Sequence, residues 1–194
     1  MEININNTMI SGTITDLTFS HTVGGEGFYK CLVRSRRHSG NVDEVPLIIS
    51  ERLIERQKIA TGNDYLIHSR ICSRDERKDG RARLRVSLLV DSIVPIRGKC
   101  DCNTVELEGY ICTEPVYKEL ISGTRVYRFM MATNHKNKSY YIPCVAFNGT
   151  AEWMQKFEVG DKLQVTGRIQ SRDIVTSDFQ DETVIEIAIN GVRR

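Results

Sequence analysis

The sequence predicts an all-β protein with one short helix per domain, organised as two tandem five-stranded barrels. Three observations support this prediction. A segment of the chain recurs after about 98 residues, apolar and polar residues alternate as they do in strands, and each copy has helical spacing after its third strand. The 194 residues are enough for two small barrels, each with a core of its own.

The internal repeat is the clearest of these signals. The motif Arg-Ile-Cys-Ser-Arg-Asp at residues 70–75 recurs as Arg-Ile-Gln-Ser-Arg-Asp at residues 168–173, with five of six positions identical. Each motif follows a turn glycine, Gly62 or Gly160, by eight residues. A period of this length is too long for a solenoid, so it predicts two copies of one whole domain.

The boundary between the copies is predicted where the apolar alternation stops, near residues 97–101. We therefore expect an amino-terminal domain over residues 1–97 and a carboxy-terminal domain over residues 102–194. So short a linker favours two barrels that pack side by side.

The second copy has five segments with the alternating or aromatic-rich pattern of strands. These segments are residues 105–111, 126–133, 140–147, 162–169 and 184–189. Residues 149–157 have helical spacing, and Asn148 is the predicted N-cap. Trp153 and Phe157 share one face of this helix, so we expect Trp153 to fill the end of the barrel core.

The first copy follows the same plan. Its strands are predicted at residues 8–19, 28–35 and 42–49 and onward from Asp64 and Arg83, with a helix over residues 51–60 that Ser50 caps. Residues 20–27 and 74–80 are predicted to be exposed hairpin loops, because they are rich in glycine or charge. Five strands with a helix after the third is the order of the OB-fold, so both domains are predicted to be OB-fold barrels.

The composition excludes some classes of protein. With 40% hydrophobic and 27% charged residues and no long apolar run, the chain is predicted to be soluble and globular. Its first residues lack the features of a secretory signal, which favours a cytoplasmic location. Residues 1–100 hold 16 Lys and Arg against 12 Asp and Glu, whereas residues 101–194 hold 11 against 13. The first half is therefore the more attractive to a polyanion.

No residues stand out as a catalytic or metal site. Cys100 and Cys102 form one C-x-C with no matching pair downstream, which is not a zinc pattern. The four histidines fall in unrelated elements, and the motifs of serine hydrolases, zinc proteases and P-loop proteins are absent from the sequence. We therefore predict no metal and no cofactor, and a protein that is not an enzyme.

Residues 142–152 and 159–169 carry an apolar strand that ends in an aromatic residue, a helix with Ala-Glu, a glycine turn and a strand that ends in Gly-Arg-Ile. In this order and spacing they resemble the bacterial single-stranded DNA-binding protein family, and residues 103–109 are similar to its first strand. The resemblance is direct over residues 103–190 and reaches residues 1–96 through the internal repeat.

The resemblance implies an OB-fold protein that binds single-stranded DNA with little dependence on sequence, in replication, recombination or repair. It also implies an assembly that presents four OB-folds, which a chain with two of them reaches as a homodimer. The chain ends at Arg194 without the flexible linker and the acidic, Phe-terminated tail of the family. We therefore expect recruitment of replication enzymes through such a tail to be absent.

Two aromatic residues are the best candidates for stacking on bases, an interaction that contributes about 1–3 kcal/mol per base. Strand alternation puts Tyr141 and Phe147 on the face opposite Ile142, Cys144 and Ala146, whose small apolar side chains suit a barrel interior. Counting back from the helix, the resemblance implies that Tyr141 and Phe147 occupy the positions of the family's DNA-stacking aromatics. The alternative is that they cover a sheet face or a subunit contact.

Basic residues suited to binding phosphates lie in both copies. Residues 35–38 and 74–83 lie where OB-folds commonly contact nucleic acid, and Arg74 and Arg172 occupy equivalent places in the repeat. The pair Tyr127 and Arg128 aligns with an aromatic and basic pair of the first copy. The predicted nucleic-acid-binding residues are Tyr141, Phe147, Tyr127, Arg128, Lys136, Lys138, Arg168, Arg172, Arg34, Arg36, Arg37, Arg74, Arg77 and Arg81.

A second function is compatible with the same fold. The chain could be an accessory module of the primosome type, whose surfaces build a dimer and contact a protein partner while nucleic acid binds weakly. The scarcity of aromatic residues in the first copy beyond Phe28 and Tyr29 favours this alternative, whereas the basic loops favour DNA. The salt dependence of oligonucleotide binding discriminates between them, because phosphate contacts weaken steeply as salt rises.

Overall fold

The computed structural model describes residues 3–37, 39–78, 80–98, 100–175 and 181–194, with backbone but not side chains at residues 78, 81, 175 and 181. Most of these residues are in β-strands, and two short helices complete the fold. The strands form two closed barrels of five, each with a helix after its third barrel strand. The predicted fold class, two tandem OB-fold barrels, is therefore confirmed.

The first barrel uses the strands and the helix β1 (Asn6–Val23), β2 (Glu26–Arg36), β3 (Val42–Ser50), α1 (Glu51–Gln57), β4 (Asp64–Lys78) and β5 (Arg81–Pro95). Antiparallel ladders join β1 to β2 and to β4, β2 to β3, and β4 to β5. A short parallel pairing of β3 with β5 closes the barrel. As predicted, Ser50 caps α1, since its side chain accepts a hydrogen bond from the backbone N–H of Leu53.

The second barrel repeats this topology with β6 (Asn103–Ile111), β8 (Arg125–His135), β9 (Lys138–Phe147), α2 (Asn148–Met154), β10 (Lys162–Val175) and β11 (Asp181–Arg193). An additional strand, β7 (Val116–Glu119), pairs with β8 outside the barrel. The sequence did not predict β7, because all four of its side chains are exposed and no apolar alternation marks it.

Helix α2 differs from its prediction at both ends. Its N-cap is Phe147, without a side-chain hydrogen bond, while Asn148 has a left-handed backbone with φ of 49° and its side chain accepts from the N–H of Arg125. The prediction for Trp153 was wrong. The tryptophan is 43% exposed with the Lys156 ammonium 3.4 Å from its ring centre, and Phe157 is the buried residue of the pair.

Two predicted loops are strands. The β4–β5 ladder continues to the Lys78–Arg81 pair, so Arg74 lies opposite Arg85 within a ribbon rather than in a loop. Residues 20–27 likewise belong to the ends of β1 and β2, and the turn is confined to Gly24 and Gly25, both with positive φ. The basic side chains of these hairpins therefore have fixed neighbours on adjacent strands.

Gly109 permits the close approach of two strands. A Cβ atom on it would lie 2.3 Å from the carbonyl oxygen of Ala132, and Gly12 has the same relation to Arg34 in the first barrel. We expect Gly109→Ala to lower the free energy of unfolding by about 1–3 kcal/mol, since the backbone must move to relieve the overlap. Gly149→Ala is the matched control, because it meets nothing within 4 Å and lies in a helix, where alanine is favoured. Urea titration measures both, and equal stability of the two variants would contradict the prediction.

The barrels are joined by an antiparallel ladder between β1 and β6, in which Thr8 pairs with Val105. These two residues are 97 positions apart, the same separation as the equivalent glycines Gly12 and Gly109. An antiparallel pairing centred on equivalent residues relates the barrels by an approximate twofold axis. The buried apolar side chains of both barrels form one contiguous cluster across this axis.

The repeated six-residue motif lies at the contact between the barrels. Ser73 of the first motif accepts a hydrogen bond from the backbone N–H of Tyr141 at 2.8 Å. Ser171 of the second accepts one from the N–H of Glu44 at 3.2 Å. The two contacts are equivalent about the twofold axis, because Glu44 and Tyr141 are 97 residues apart. The occurrence of this serine in both copies is therefore explained by its hydrogen bond across the contact between the barrels.

Candidate nucleic-acid interface

Strands β8 to β11 of the second barrel have a face that points away from the core, here called the outer sheet face. Along β9, Ile142, Cys144 and Ala146 face the core and are at most 2% exposed, while Tyr141 on the opposite side is 49% exposed. Burial also raises the pKa of the Cys144 thiol. The outer sheet face consists of Arg128, Tyr141, Pro143, Val145, Phe147, Arg172 and Glu186.

The two predicted aromatics differ in their surroundings. Tyr141 is held through its backbone by Ser73, and its ring is open to solvent. Phe147 is partly buried, because it packs on a small cluster formed by Val126, Val145 and Ala188 on the outer sheet face. The ring of Tyr141 is therefore accessible for stacking. The ring of Phe147 is accessible only in part, because it also packs on this cluster.

Glu186 organises the centre of the outer sheet face. Its carboxylate is only 3% exposed and accepts from Arg128 at 2.7 Å and from Arg172 at 3.3 Å. Gln170 donates a further hydrogen bond at 2.7 Å. Both arginines keep about 40% of their side chains exposed. The pair of cations is thus fixed in place and half neutralised by one buried acid.

The first barrel lacks this acid. The parallel pairings place Leu88 opposite Leu47 and Ile187 opposite Cys144, which makes Ser87 the equivalent of Glu186. A groove of about 310 Å³ lies here, with an apolar floor that includes Pro46, Ile48 and Val86. Lys30 and Arg74, the equivalents of Arg128 and Arg172, line it, and Glu76 contacts Arg74 at 3.5 Å.

A buried acid also connects the two barrels. Asp43 of β3 is 0% exposed, and both of its oxygens accept from the Arg37 guanidinium. The backbone N–H and the hydroxyl of Ser171, across the interface, donate to it at 2.6 and 3.1 Å. Arg37 additionally donates to the Ser171 carbonyl at 2.9 Å, and its hydrogen bonds to Asp43 raise its pKa.

The model of the single-strand binding protein family matches residues 102–194, which include the whole second barrel and its outer sheet face. The second barrel therefore resembles the members of this family. The first barrel shares the topology of the second and joins it through the β1–β6 ladder, so the chain carries two OB-folds.

Two proteins of similar sequence are described as single-stranded DNA-binding proteins. A single-stranded DNA-binding protein of Malacoplasma penetrans is 27% identical over 95 residues, which cover 47% of this chain and 50% of that protein. One from Thermus aquaticus is 25% identical over 158 residues, covering 68% of this chain and 60% of that protein. The chain thus spans 50–60% of the length of these curated relatives.

The crystal structure of the wild-type Thermus aquaticus protein superposes on the entire chain. The TM-score is 0.76 with 24% sequence identity, and the match covers 100% of this chain and 94% of that one. This likeness extends the shared fold from the second barrel to both barrels.

One of the predicted binding residues is buried. Tyr127 is 3% exposed, and its hydroxyl donates to the carbonyl of Phe157 at 3.0 Å. Burial raises its pKa. The prediction was wrong because Tyr127 and Arg128 are neighbours on one strand, so only one of them can face outward, and Arg128 does.

The structure distributes the other predicted cations over three regions. Lys136 and Lys138 are exposed on the β8–β9 hairpin. Arg34, Arg36, Arg74 and Arg77 are exposed on the first barrel, and Arg34 pairs with Glu44 at 3.1 Å. Arg37 and Arg168 lie at the contact between the barrels. The side chain of Arg81 lies outside the described part of the structure.

The sequence did not reveal the two buried acids or the two aromatic pairs of the β1–β2 hairpin. Phe19 is 60% exposed at the β1–β2 hairpin and packs edge-on against Tyr29 with ring centres 5.6 Å apart. His21 stacks on Phe28 in the same hairpin at 5.4 Å. A β-bulge between Phe19 and His21 shifts the register, so the two ring pairs lie on opposite faces of the hairpin, and the two-residue spacing in the sequence did not indicate this. The first barrel is therefore less poor in surface aromatics than predicted.

Proposed function

We propose that this protein binds single-stranded DNA on the outer sheet face of its second barrel, with little dependence on sequence and without catalysis. The observation that carries the proposal is the exposed ring of Tyr141, on the face opposite the core that also carries Phe147, Arg128 and Arg172. A stacking surface flanked by cations suits unpaired bases joined by phosphates, because every base has a flat face to stack. Roles in replication, recombination or repair would follow from this activity.

The experiment is a titration of labelled oligo(dT) by fluorescence anisotropy at several salt concentrations, with a duplex of the same length as the competitor. We expect tighter binding to the single strand and a log–log salt slope of about −0.7 per phosphate contacted. Equal affinity for single strand and duplex would overturn the proposal, since charge attraction alone does not require unpaired bases.

We also propose that the chain forms a homodimer that presents four OB-folds. Support comes from the two barrels in each chain and from the expectation of four folds per assembly. Light scattering at micromolar concentration, with and without oligo(dT), measures the mass. A mass of one chain under both conditions would contradict the homodimer.

The buried acid of the outer sheet face gives a sharper test of the binding surface. Glu186→Gln is expected to raise oligonucleotide affinity, because Arg128 and Arg172 lose their intramolecular carboxylate and become available to phosphates. The salt slope should steepen by about 0.7 for each arginine that engages a phosphate. Glu106→Gln is the matched control: it removes the same charge from an exposed residue whose hydrogen bond is to Gln164, not to an arginine. Equal effects of the two substitutions would contradict a role for the two arginines.

One observation favours the alternative of a protein-interaction module. The β7–β8 hairpin exposes four large apolar side chains, Val116, Tyr117, Leu120 and Ile121. Exposed apolar side chains grouped in this way are typical of protein contact surfaces. The oligo(dT) titration separates the two functions, because a protein-interaction module would bind DNA weakly and independently of Tyr141.

A further inference from the structure

A second basic site lies where the two barrels meet. A pocket of about 260 Å³ is lined by Arg36, Arg37 and Ser39 of the first barrel and by Asp101 and Arg168 on the side of the second. Two consecutive arginines at the end of β2 and one arginine of β10 thus line one cavity. Asp101 supplies the carboxylate among these lining residues.

One arginine donor of this pocket has no acceptor among the described residues. Nη1 of Arg168 is buried and has no hydrogen-bond partner among the described residues. The nearest carboxylate oxygen in an ion pair with it, Oδ2 of Asp43, is 4.0 Å away and already accepts from Arg37. Burial and the charge of Arg37 both lower the pKa of Arg168. A buried donor without an acceptor is unfavourable, so an additional acceptor there would be stabilised.

At the twofold-related position, the equivalent arginine has both a hydrogen-bond partner and a carboxylate partner. Arg70, the equivalent of Arg168, contacts His135 at 3.0 Å and Asp91 at 3.3 Å, and all three line a pocket of about 310 Å³. Burial and the charge of Arg70 lower the pKa of His135, which favours the neutral ring. One arginine and one carboxylate therefore balance in that pocket.

Two replacements make the Arg168 pocket different. His135 corresponds to Arg37, which adds a positive charge. Asp91 is the residue left unpaired by the bulge in the β4–β5 ladder, and the same bulge in the β10–β11 ladder leaves Asn190 unpaired. Relative to the Arg70 pocket, the Arg168 pocket has therefore gained the Arg37–Asp43 ion pair and lost the acid that pairs with the equivalent arginine.

We propose that the pocket of Arg36, Arg37 and Arg168 binds a phosphate group that bridges the two barrels. Guanidinium groups match the oxygens of a phosphate with paired hydrogen bonds, and Nη1 of Arg168 supplies a donor that no group in the described part of the protein uses. The phosphate could belong to a DNA strand that crosses from one barrel to the other, which rests on the proposed function, or be a free anion. Both sources present the same chemistry.

The first arm of the test uses inorganic phosphate alone. Phosphate, compared with chloride at equal ionic strength, should raise the melting temperature of the protein, and Arg168→Met should weaken the apparent affinity for phosphate about tenfold or more. Arg70→Met is the matched control at the twofold-related position and should respond as the wild type does. Arg36→Ala, on an exposed side chain, gives a second variant that cannot fail through misfolding and should also weaken the response.

The second arm uses oligo(dT) and separates the two sources of phosphate. If DNA supplies it, Arg168→Met should reduce the salt slope by about 0.7, while Arg70→Met leaves the slope unchanged. A phosphate response that depends on Arg168 in a protein that binds no oligonucleotide would assign the site to a free anion and reject the proposed function. If the wild type binds oligo(dT) but Arg168→Met and Arg70→Met behave alike in both arms, the inference is overturned and the proposed function stands.

Discussion

Replacing Tyr141 and Phe147 together by alanine is expected to weaken binding of single-stranded oligonucleotides by about 2–6 kcal/mol, since each stacked ring contributes about 1–3 kcal/mol. Both side chains lie on the outer sheet face, opposite the core residues of the same strand. The loss of affinity should therefore occur in a protein that still folds. Fluorescence anisotropy with labelled oligo(dT) measures the affinity, and circular dichroism verifies the fold.

The surroundings of Phe147 define the controls for this experiment. Because the ring packs on Val126, Val145 and Ala188, its removal also costs some stability. Phe147→Leu keeps much of that packing and removes the flat face, so it should lower the affinity with a smaller change in melting temperature. Tyr117→Ala removes another exposed tyrosine, on β7, and should leave the affinity unchanged. A double variant that unfolds would show that the aromatics belong to the core, and unchanged binding would put the DNA path elsewhere.

The substitution Asp43→Asn is expected to lower the free energy of unfolding by about 3 kcal/mol. Asparagine keeps the shape but removes the charge that holds Arg37, and it replaces one acceptor oxygen facing Arg37 and Ser171 by a donor. Breaking a buried ion pair by neutralising one partner leaves the other charge uncompensated, and this penalty exceeds the worth of a surface pair. Urea denaturation at neutral pH measures the loss.

The adjacent residue provides the control for Asp43. Glu44→Gln removes a carboxylate of which about half is exposed and which pairs with Arg34, and it should change the stability by less than about 1 kcal/mol. Similar effects of the two substitutions would mean that the Asp43 network contributes no more to the contact between the barrels than a surface ion pair does.

The sequence predicted the fold well, because the repeat and the alternation of buried strands report directly on burial. Ile142, Cys144 and Ala146 faced the core as predicted, and Ser50 capped α1. Features that do not bury apolar side chains were missed. Strand β7 is exposed throughout. The charged ends of β4 and β5 are paired by backbone hydrogen bonds, which do not require the apolar alternation that marks a buried strand.

The candidate site was predicted less completely, for two physical reasons. Acids are seldom buried, so nothing in the sequence singled out Asp43 and Glu186, and only the folded chain brings their arginine partners to them. A repeat also aligns positions without stating which face they occupy, and so Tyr127 was counted with Arg128 although one of the two had to point inward.

The ladder between β1 and β6 has a further consequence for how the two barrels can differ. In a dimer of identical one-barrel chains, each position near the twofold axis occurs twice in the same surroundings, so any buried charge must be accommodated twice. Here Asp43 meets Ser171, whereas the related position holds Tyr140, which forms a hydrogen bond with Cys72 and whose pKa burial raises to about 12. Because the two barrels are covalently linked, their interface residues can differ as those of the two subunits of a heterodimer do. Their one-to-one ratio does not change on dilution.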